Sequence, residues 1–186
     1  MNDVRSFEEI VAENESKIFN TIYSFIGDYD DALDLTQETF ICAYRSFGKF
    51  RHESSIATWL YRIAINLCKK SYNSKKRRDS IFTGSLDDLE TGRQLMNRAS
   101  EDESASEILD ADEKEAIVRN AISSLPQKHR SVIILKYLQG MSYEEMADVL
   151  GCGIGTIKSR LSRAKEKLKS KLEKVMEEGH GELQEI

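Results

Sequence analysis

The chain has 186 residues, of which 40% are hydrophobic, 32% charged and 8% aromatic, with one proline, Pro126, and a formal net charge of -5. That is room for one ordinary domain or two small ones, with enough apolar content for a core. No apolar run approaches the roughly 20 residues that cross a bilayer, and Met1 to Glu15 carries five acids without the basic start of a secretory signal. A membrane span is excluded, and a cytoplasmic location is expected.

The first helical pattern runs from about Ser6 to Ile26, with Phe7, Ile10, Val11, Ile18, Ile22, Phe25 and Ile26 on one face. Ser6 and Glu9 have the spacing of a capping box, and Gly27 is placed to stop the helix. A second pattern, about Asp30 to Phe47, sets Leu33, Phe40, Tyr44 and Phe47 on a stripe expected to be buried, and Asp31, Asp34 and Glu38 on another. A third runs from about Ser55 to Asn73 and buries Ile56, Leu60, Ile63, Ala64 and Leu67. From Asp79 to Asp112 the sequence is rich in Ser, Asp, Glu and Gly and has no sustained period. It reads as a flexible linker, with transient helix near Leu86 to Met96.

Helical pattern returns at about Lys114 with Ile117, Ala121, Ile122 and Leu125, and Pro126 stops it. Another helix, about Gln127 to Leu138, carries Val132, Ile133, Leu135 and Leu138 as its apolar residues. Ser142 and Glu145 form a second capping box ahead of Tyr143, Met146, Ala147 and Leu150 at i, i+3, i+4 and i+7. After Gly151-Cys152-Gly153, the residues Ile154, Ile157, Leu161, Ala164 and Leu168 trace the buried face of a longer helix. Together these make a helix-turn-helix, with Gly151 supplying a left-handed turn residue and Ala147 a close approach. No alternating pattern competes, so the fold class is all-α: two small helical domains, 1–78 and 114–176, joined by an acidic linker over 79–113, with a tail over 177–186.

The net charge hides an uneven distribution. Residues 1–78 sum to +1, residues 79–115 to -9 and residues 116–186 to +3. Ser54 to Arg78 holds seven bases and no acid, and Ile154 to Lys174 eight bases against two acids. These are two candidate nucleic-acid faces. Turning the apolar stripe of the last helix inward leaves Gly155, Thr156, Lys158, Ser159, Arg160, Ser162 and Arg163 outward. Small residues at its N-terminus permit close approach to a groove, and Lys or Arg can donate to guanine N7 and O6. The earlier helix mixes Trp59, Arg62, Asn66, Lys69 and Asn73 along one side, a surface suited to stacked or unpaired bases. For that helix taken alone, a core Trp59 with solvated lysines is the simpler reading.

Three cysteines, Cys42, Cys68 and Cys152, are widely spaced and odd in number. Neither a disulfide framework nor a metal site is expected, and all three are expected as buried small hydrophobes. His52, His129 and His180 are far apart and accompany no nucleophile motif or phosphate-binding loop, so neither catalysis nor a cofactor is expected.

The motifs Asp34-Leu35-Thr36-Gln37-Glu38-Thr39-Phe40 with Ala43-Tyr44, and Thr58-Trp59-Leu60-Tyr61-Arg62-Ile63-Ala64 with Asn66-Leu67, resemble the N-terminal domain of extracytoplasmic-function sigma factors. Leu125-Pro126 with Arg130, Tyr143 to Ala147, and Gly155-Thr156-Ile157-Lys158-Ser159-Arg160-Leu161 resemble their C-terminal domain. The resemblance implies an initiation subunit that binds bacterial core RNA polymerase and directs it to promoter DNA, under control of an anti-sigma factor that is often membrane-bound. It implies a stress or envelope response.

By the same resemblance Asp31, Asp34, Gln37 and Glu38 dock on polymerase. Phe50, Arg51, His52, Ser54, Thr58, Trp59, Arg62, Asn66 and Lys69 serve the minus-ten element, the loop Phe50 to Ser55 receiving a flipped base, with Arg77 and Arg78 as backbone contacts. Thr156, Lys158, Ser159, Arg160, Ser162 and Arg163 serve the minus-thirty-five element, Arg160 and Arg163 being the preferred base readers because their forks can be bidentate. The acidic linker would be repelled by DNA and drawn to basic polymerase channels, with a plain solubilising spacer as the equal alternative. The glycine-rich turn at 151–153 departs from the family's usual turn, where proline is frequent. A stand-alone dimeric helix-turn-helix regulator is the alternative reading, and tight DNA binding without polymerase would distinguish it.

Overall fold

A computed structural model describes the backbone of residues 6–50, 54–83 and 106–181, and the side chains of 6–50, 54–78 and 115–175. The elements are α1 (Phe7–Ile26), α2 (Tyr29–Phe47), α3 (Ile56–Thr83), α4 (Ser106–Ser123), α5 (Gln127–Ile133), a π-helical turn (Ile134–Leu138), α6 (Tyr143–Leu150) and α7 (Ile154–Gly181). Among the described residues there is no strand, and none of the helices is long and apolar enough to cross a membrane. Residues 84–105, which include the expected transient helix near Leu86 to Met96, lie outside the described residues, as do Arg51 and His52.

Local sequence sets most helix ends. Ser6 accepts the Glu9 backbone N–H at 3.3 Å, and the Glu9 carboxylate accepts the Ser6 N–H at 3.0 Å, a complete capping box for α1. Gly27 closes that helix at φ 81°, a conformation that side-chain-bearing residues avoid. Asp28 caps α2 by accepting the Asp31 N–H at 2.9 Å. The start of α3 is tied by Ser55, whose hydroxyl accepts the Thr58 N–H at 3.0 Å.

Two helices are longer than their patterns suggest. α3 continues past Asn73 to Thr83 because no glycine or proline interrupts it. Its extension is tied back to α2 by the ion pair between Lys75 and Asp31. α4 begins at Ser106, inside the segment read as linker. Conversely, the helix expected over Gln127 to Leu138 changes hydrogen-bond register after Ile133. There the Gln139 N–H reaches back to the Ile134 carbonyl, closing a π turn.

The second helix corrects a burial expectation. Its buried face is Ala32, Leu35, Thr36, Thr39, Phe40 and Ala43, whereas Leu33 and Tyr44 are 39% and 67% exposed. Two threonines can sit inside because each hydroxyl donates to the carbonyl four residues earlier, at 2.7 Å in both cases. Ala32 and Ala43 on that face let α2 approach its neighbours around Leu35 and Phe40, while Leu33 and Tyr44 fall on the solvent side. Leu138, at the end of the π turn, and Ile154, at the start of α7, are likewise exposed. Of the cysteines, Cys68 is buried while Cys42 and Cys152 are half-buried, and all are free thiols.

α1, α2 and α3 pack on one another, and α5, α6 and α7 form a second group. The two groups meet directly: α1 touches α4 and the π turn, and α3 lies against α6. One apolar cluster therefore runs from Ile10, Phe25 and Leu60 through Leu125 and Ile133 to Met146 and Ile157.

Candidate nucleic-acid interface

The basic side of α3 is built by helical spacing. Trp59, Arg62, Asn66, Lys69 and Asn73 recur every three or four residues and share one face. Trp59 is half-buried, its indole 5.0 Å from the Phe50 ring and 6.4 Å from the Phe47 ring. Those contacts pack Phe47 and Phe50 against the start of α3. Thr58 is 3% exposed, and its hydroxyl shares a 2.8 Å hydrogen bond with that of Ser55. It secures the helix start, which removes it from the set of surface readers. Asn66, Arg77 and Arg78 are exposed.

Arg62 and Lys69 are half-buried. Arg62 and Asn66 line one side of an open cavity of about 290 Å³ whose other side is Ala147 to Gly151 of the helix-turn-helix, and the Arg62 Nε is buried there without a hydrogen-bond acceptor. Burial first, and the neighbouring Arg160 guanidinium second, push the Lys69 ammonium pKa below its ordinary value.

The helix-turn-helix takes the geometry that its motif requires. Ser142 and Glu145 form the reciprocal capping box of α6, with contacts of 3.1 and 2.9 Å. Gly151 stands at φ 62°, ψ 41° and donates its N–H to the Ala147 carbonyl, so the chain turns within three residues. Ile157, Leu161 and Ala164 are buried against α5 and α6. The opposite face presents Thr156, Lys158, Ser159, Ser162 and Arg163 to solvent. Lys158 lies over the Tyr143 ring at 5.7 Å, and Lys136 over the same ring at 5.0 Å. Arg160 departs from this face. It is half-buried, with Nη1 3.7 Å from the Cys152 Sγ in the turn. Arg163 is thus the more available of the two expected base readers.

The expected docking residues on α2 divide in the same way. Asp34, Gln37 and Glu38 are exposed together, while Asp31 is half-buried and paired with Lys75. Leu33, Ile41 and Tyr44 join the exposed set, so the surface is mixed apolar and acidic. Their positions follow the helical period of Asp34 and Glu38. The signal was present in the sequence, but the size of the side chains pointed the other way.

Two family models match the chain: Sigma-70 region 2 over residues 10–78 and Sigma-70, region 4, over residues 115–168. The RNA polymerase sigma-H factor of Pseudomonas aeruginosa is 37% identical over 178 residues, covering 95% of this chain and 91% of that protein. The ECF RNA polymerase sigma-E factor of Escherichia coli is 32% identical over 174 residues, covering 92% and 88%. Among solved structures, the sigma factor RpoE of Bartonella quintana, in complex with the anti-sigma factor NepR, has a TM-score of 0.63 at 26% identity, covering 90% of this chain and 96% of that one. CnrH, in complex with the cytosolic domain of CnrY, shares the fold with a TM-score of 0.65 at 23% identity over 92% and 90%.

The chain belongs to the sigma-70 family, as an extracytoplasmic-function sigma factor, a transcription initiation subunit of bacterial RNA polymerase.

Proposed function

We propose a division of labour among three surfaces. The exposed face of α2, with Asp34, Gln37, Glu38, Leu33, Ile41 and Tyr44, docks on core polymerase. Its acids steer the encounter and its apolar residues supply burial. Asp31 supports that face from its edge through Lys75. The side of α3 with Trp59, Arg62, Asn66 and Lys69, together with the loop Phe50 to Ser54 and with Arg77 and Arg78 on the phosphates, serves the minus-ten element. Melting is driven by binding energy spent on unpaired bases. The α7 face of Thr156, Lys158, Ser159, Ser162 and Arg163 enters the major groove of the minus-thirty-five element, with Arg160 joining it once released from the turn.

The segregation of charge carries this reading: acids and apolar side chains on α2, and acid-free basic faces on α3 and on the first turns of α7. The functional units on this reading are 1–78 and 114–176, linked by 79–113. The chain itself performs no catalysis, since polymerase transfers the nucleotides. Regulation comes from an anti-sigma factor, by similarity to the Bartonella protein that was solved in such a complex. On this reading the chain works in the cytoplasm, held at the membrane when that partner is membrane-bound, in a stress or envelope response.

Run-off transcription of sheared genomic DNA by bacterial core polymerase, with and without the chain, tests the reading. New transcripts from discrete start sites are expected. Their absence with an active core, together with tight autonomous DNA binding, would leave the dimeric regulator.

A further inference from the structure

The end of α3 is helical where its own sequence gives little reason for it. From Asn73 to Ser80 the chain contains no apolar residue, and Asn and Ser are poor helix formers. A helix that is polar all round is not stable in water by itself and needs contacts from outside. Yet α3 continues through this stretch to Thr83.

Lys75 is where such a contact is made. Between Asn73 and Arg78 every residue is exposed except Lys75, which is half-buried and ion-paired with Asp31 of α2. Asp31 is itself well fixed. It lies in the first turn of α2 and donates its N–H to the Asp28 carboxylate at 2.9 Å, at the end of the helix where the dipole favours a negative charge. One turn further along α2 stands Asp34, an exposed acid of the docking face, and one turn beyond Lys75 on α3 stands Arg78, with Lys76 and Arg77 between. The pair therefore joins the root of the docking face to the root of the basic extension, within one group of helices. Asn73 has another tie, accepting from Gln127 Nε2 at 3.2 Å, but Gln127 belongs to α5 in the other group.

We propose that Lys75 is a positioning residue for promoter melting: through its pair with Asp31 it keeps the last turns of α3 helical alongside α2, and so holds Arg77 and Arg78 in fixed register to the phosphates while α2 sits on polymerase. The proposal rests on the assignment of α2 to polymerase and of Arg77 and Arg78 to phosphates. Lys75 itself touches no DNA on this account, because its charge is used within the protein. An arginine on a frayed segment loses both backbone and rotamer freedom when it binds, whereas one on an ordered helix has already lost the backbone part. Order in this segment is thus read as more open complex per bound polymerase, without a new contact.

Charge reversal tests the pair. The full-length variants are Lys75→Glu, Asp31→Lys and the two together. Each is assembled with bacterial core polymerase, and open complexes at a promoter found by run-off transcription are read as permanganate reactivity of unpaired thymines. Counting per assembled holoenzyme removes any effect of Asp31 on docking itself. Hydrogen-exchange mass spectrometry of the free chains reads amide protection in peptides covering 73–83. The two side chains are 42% and 33% exposed, so the pair has the strength of a surface bridge. Each single variant should lose up to about five-fold in protection of that segment and a similar factor in open complexes, and the swapped pair should regain both. A Lys75→Glu chain with full protection would overturn the proposal. So would a swapped pair that stays short of open complexes, the result expected if Lys75 meets DNA directly. The double change Arg77→Ala, Arg78→Ala separates the proposal from the reading beneath it. If that variant melts promoters as well as wild type, the phosphate assignment fails, whereas a loss there without rescue in the swapped pair sinks only the positioning role.

Discussion

The two basic helices carry similar charge and stand in different environments. On α7 the face from Thr156 to Arg163 is open to solvent except at Arg160 and the buried Ile157 and Leu161, whereas on α3 Arg62 and Lys69 are half-buried, Arg62 across a cavity from α6. The difference lies in what surrounds each helix. α7 uses Ile157, Leu161 and Ala164 to bury one side within its own group, which leaves the other side free. α3 is packed on one side by α1 and α2 and meets α6 on another, so its basic residues border a contact between groups. A count of lysines and arginines therefore identifies a nucleic-acid face without saying whether that face is accessible.

The contrast can be broken from the α7 side first. Ile157 is fully buried, so Ile157→Ala should cost about 3 kcal/mol, read as a lower midpoint in urea unfolding, and should loosen the exposed face. Arg163→Ala removes a proposed base reader that packs on nothing inside. Output from cognate promoters should fall about ten-fold or more while co-elution with core polymerase is retained. Glu38→Lys should do the reverse, weakening co-elution and leaving any polymerase-independent DNA affinity in place. If both variants lose only DNA binding, the separation of α2 from the basic faces is wrong.

Smaller effects sharpen the comparison. Gly151→Ala must place a side chain at φ 62° in open space, so its penalty is conformational, about 1 kcal/mol. A lower thermal midpoint with no loss of core binding is expected. His129 is buried between α5 and α7, its Nδ1 3.4 Å from the Arg160 carbonyl. Burial is the main cause that holds its pKa below the ordinary 6.5. The folded chain then resists a proton that the unfolded chain accepts. Stability is full above pH 6.5 and declines as the pH falls from there toward the depressed folded value. Comparing urea midpoints at pH 7.5 and 5.5 in wild type and His129→Gln checks this: the variant should lose the part of the decline that belongs to His129.

Much of the fold was legible because it depends on neighbours in the chain. The boxes Ser6–Glu9 and Ser142–Glu145, the left-handed Gly27 and Gly151, and the buried stripe through Ile157 and Leu161 are matters of three- or four-residue spacing and backbone sterics. The site was legible to the same depth: Asn66, Arg163, Asp34 and Glu38 stand at the surface as their period requires. Residues whose size and period disagreed were misplaced. Leu33 and Tyr44 were expected inside and are exposed, and Thr58, placed beside DNA by the family resemblance alone, is buried. Burial of Thr36, Thr39 and Thr58 depends on hydroxyl bonds that composition does not reveal.

The sequence by itself determined the helices, their caps, the helix-turn-helix and the family. All of these arise from interactions within a turn or two of the chain, or from motifs whose order is preserved. Only the tertiary structure decided which basic face is covered. That outcome rests on Tyr61 meeting Gln139 and Arg130 reaching the end of α1, contacts between residues far apart in the chain. No local period encodes such pairings, because they exist only when two separately formed groups of helices close on each other.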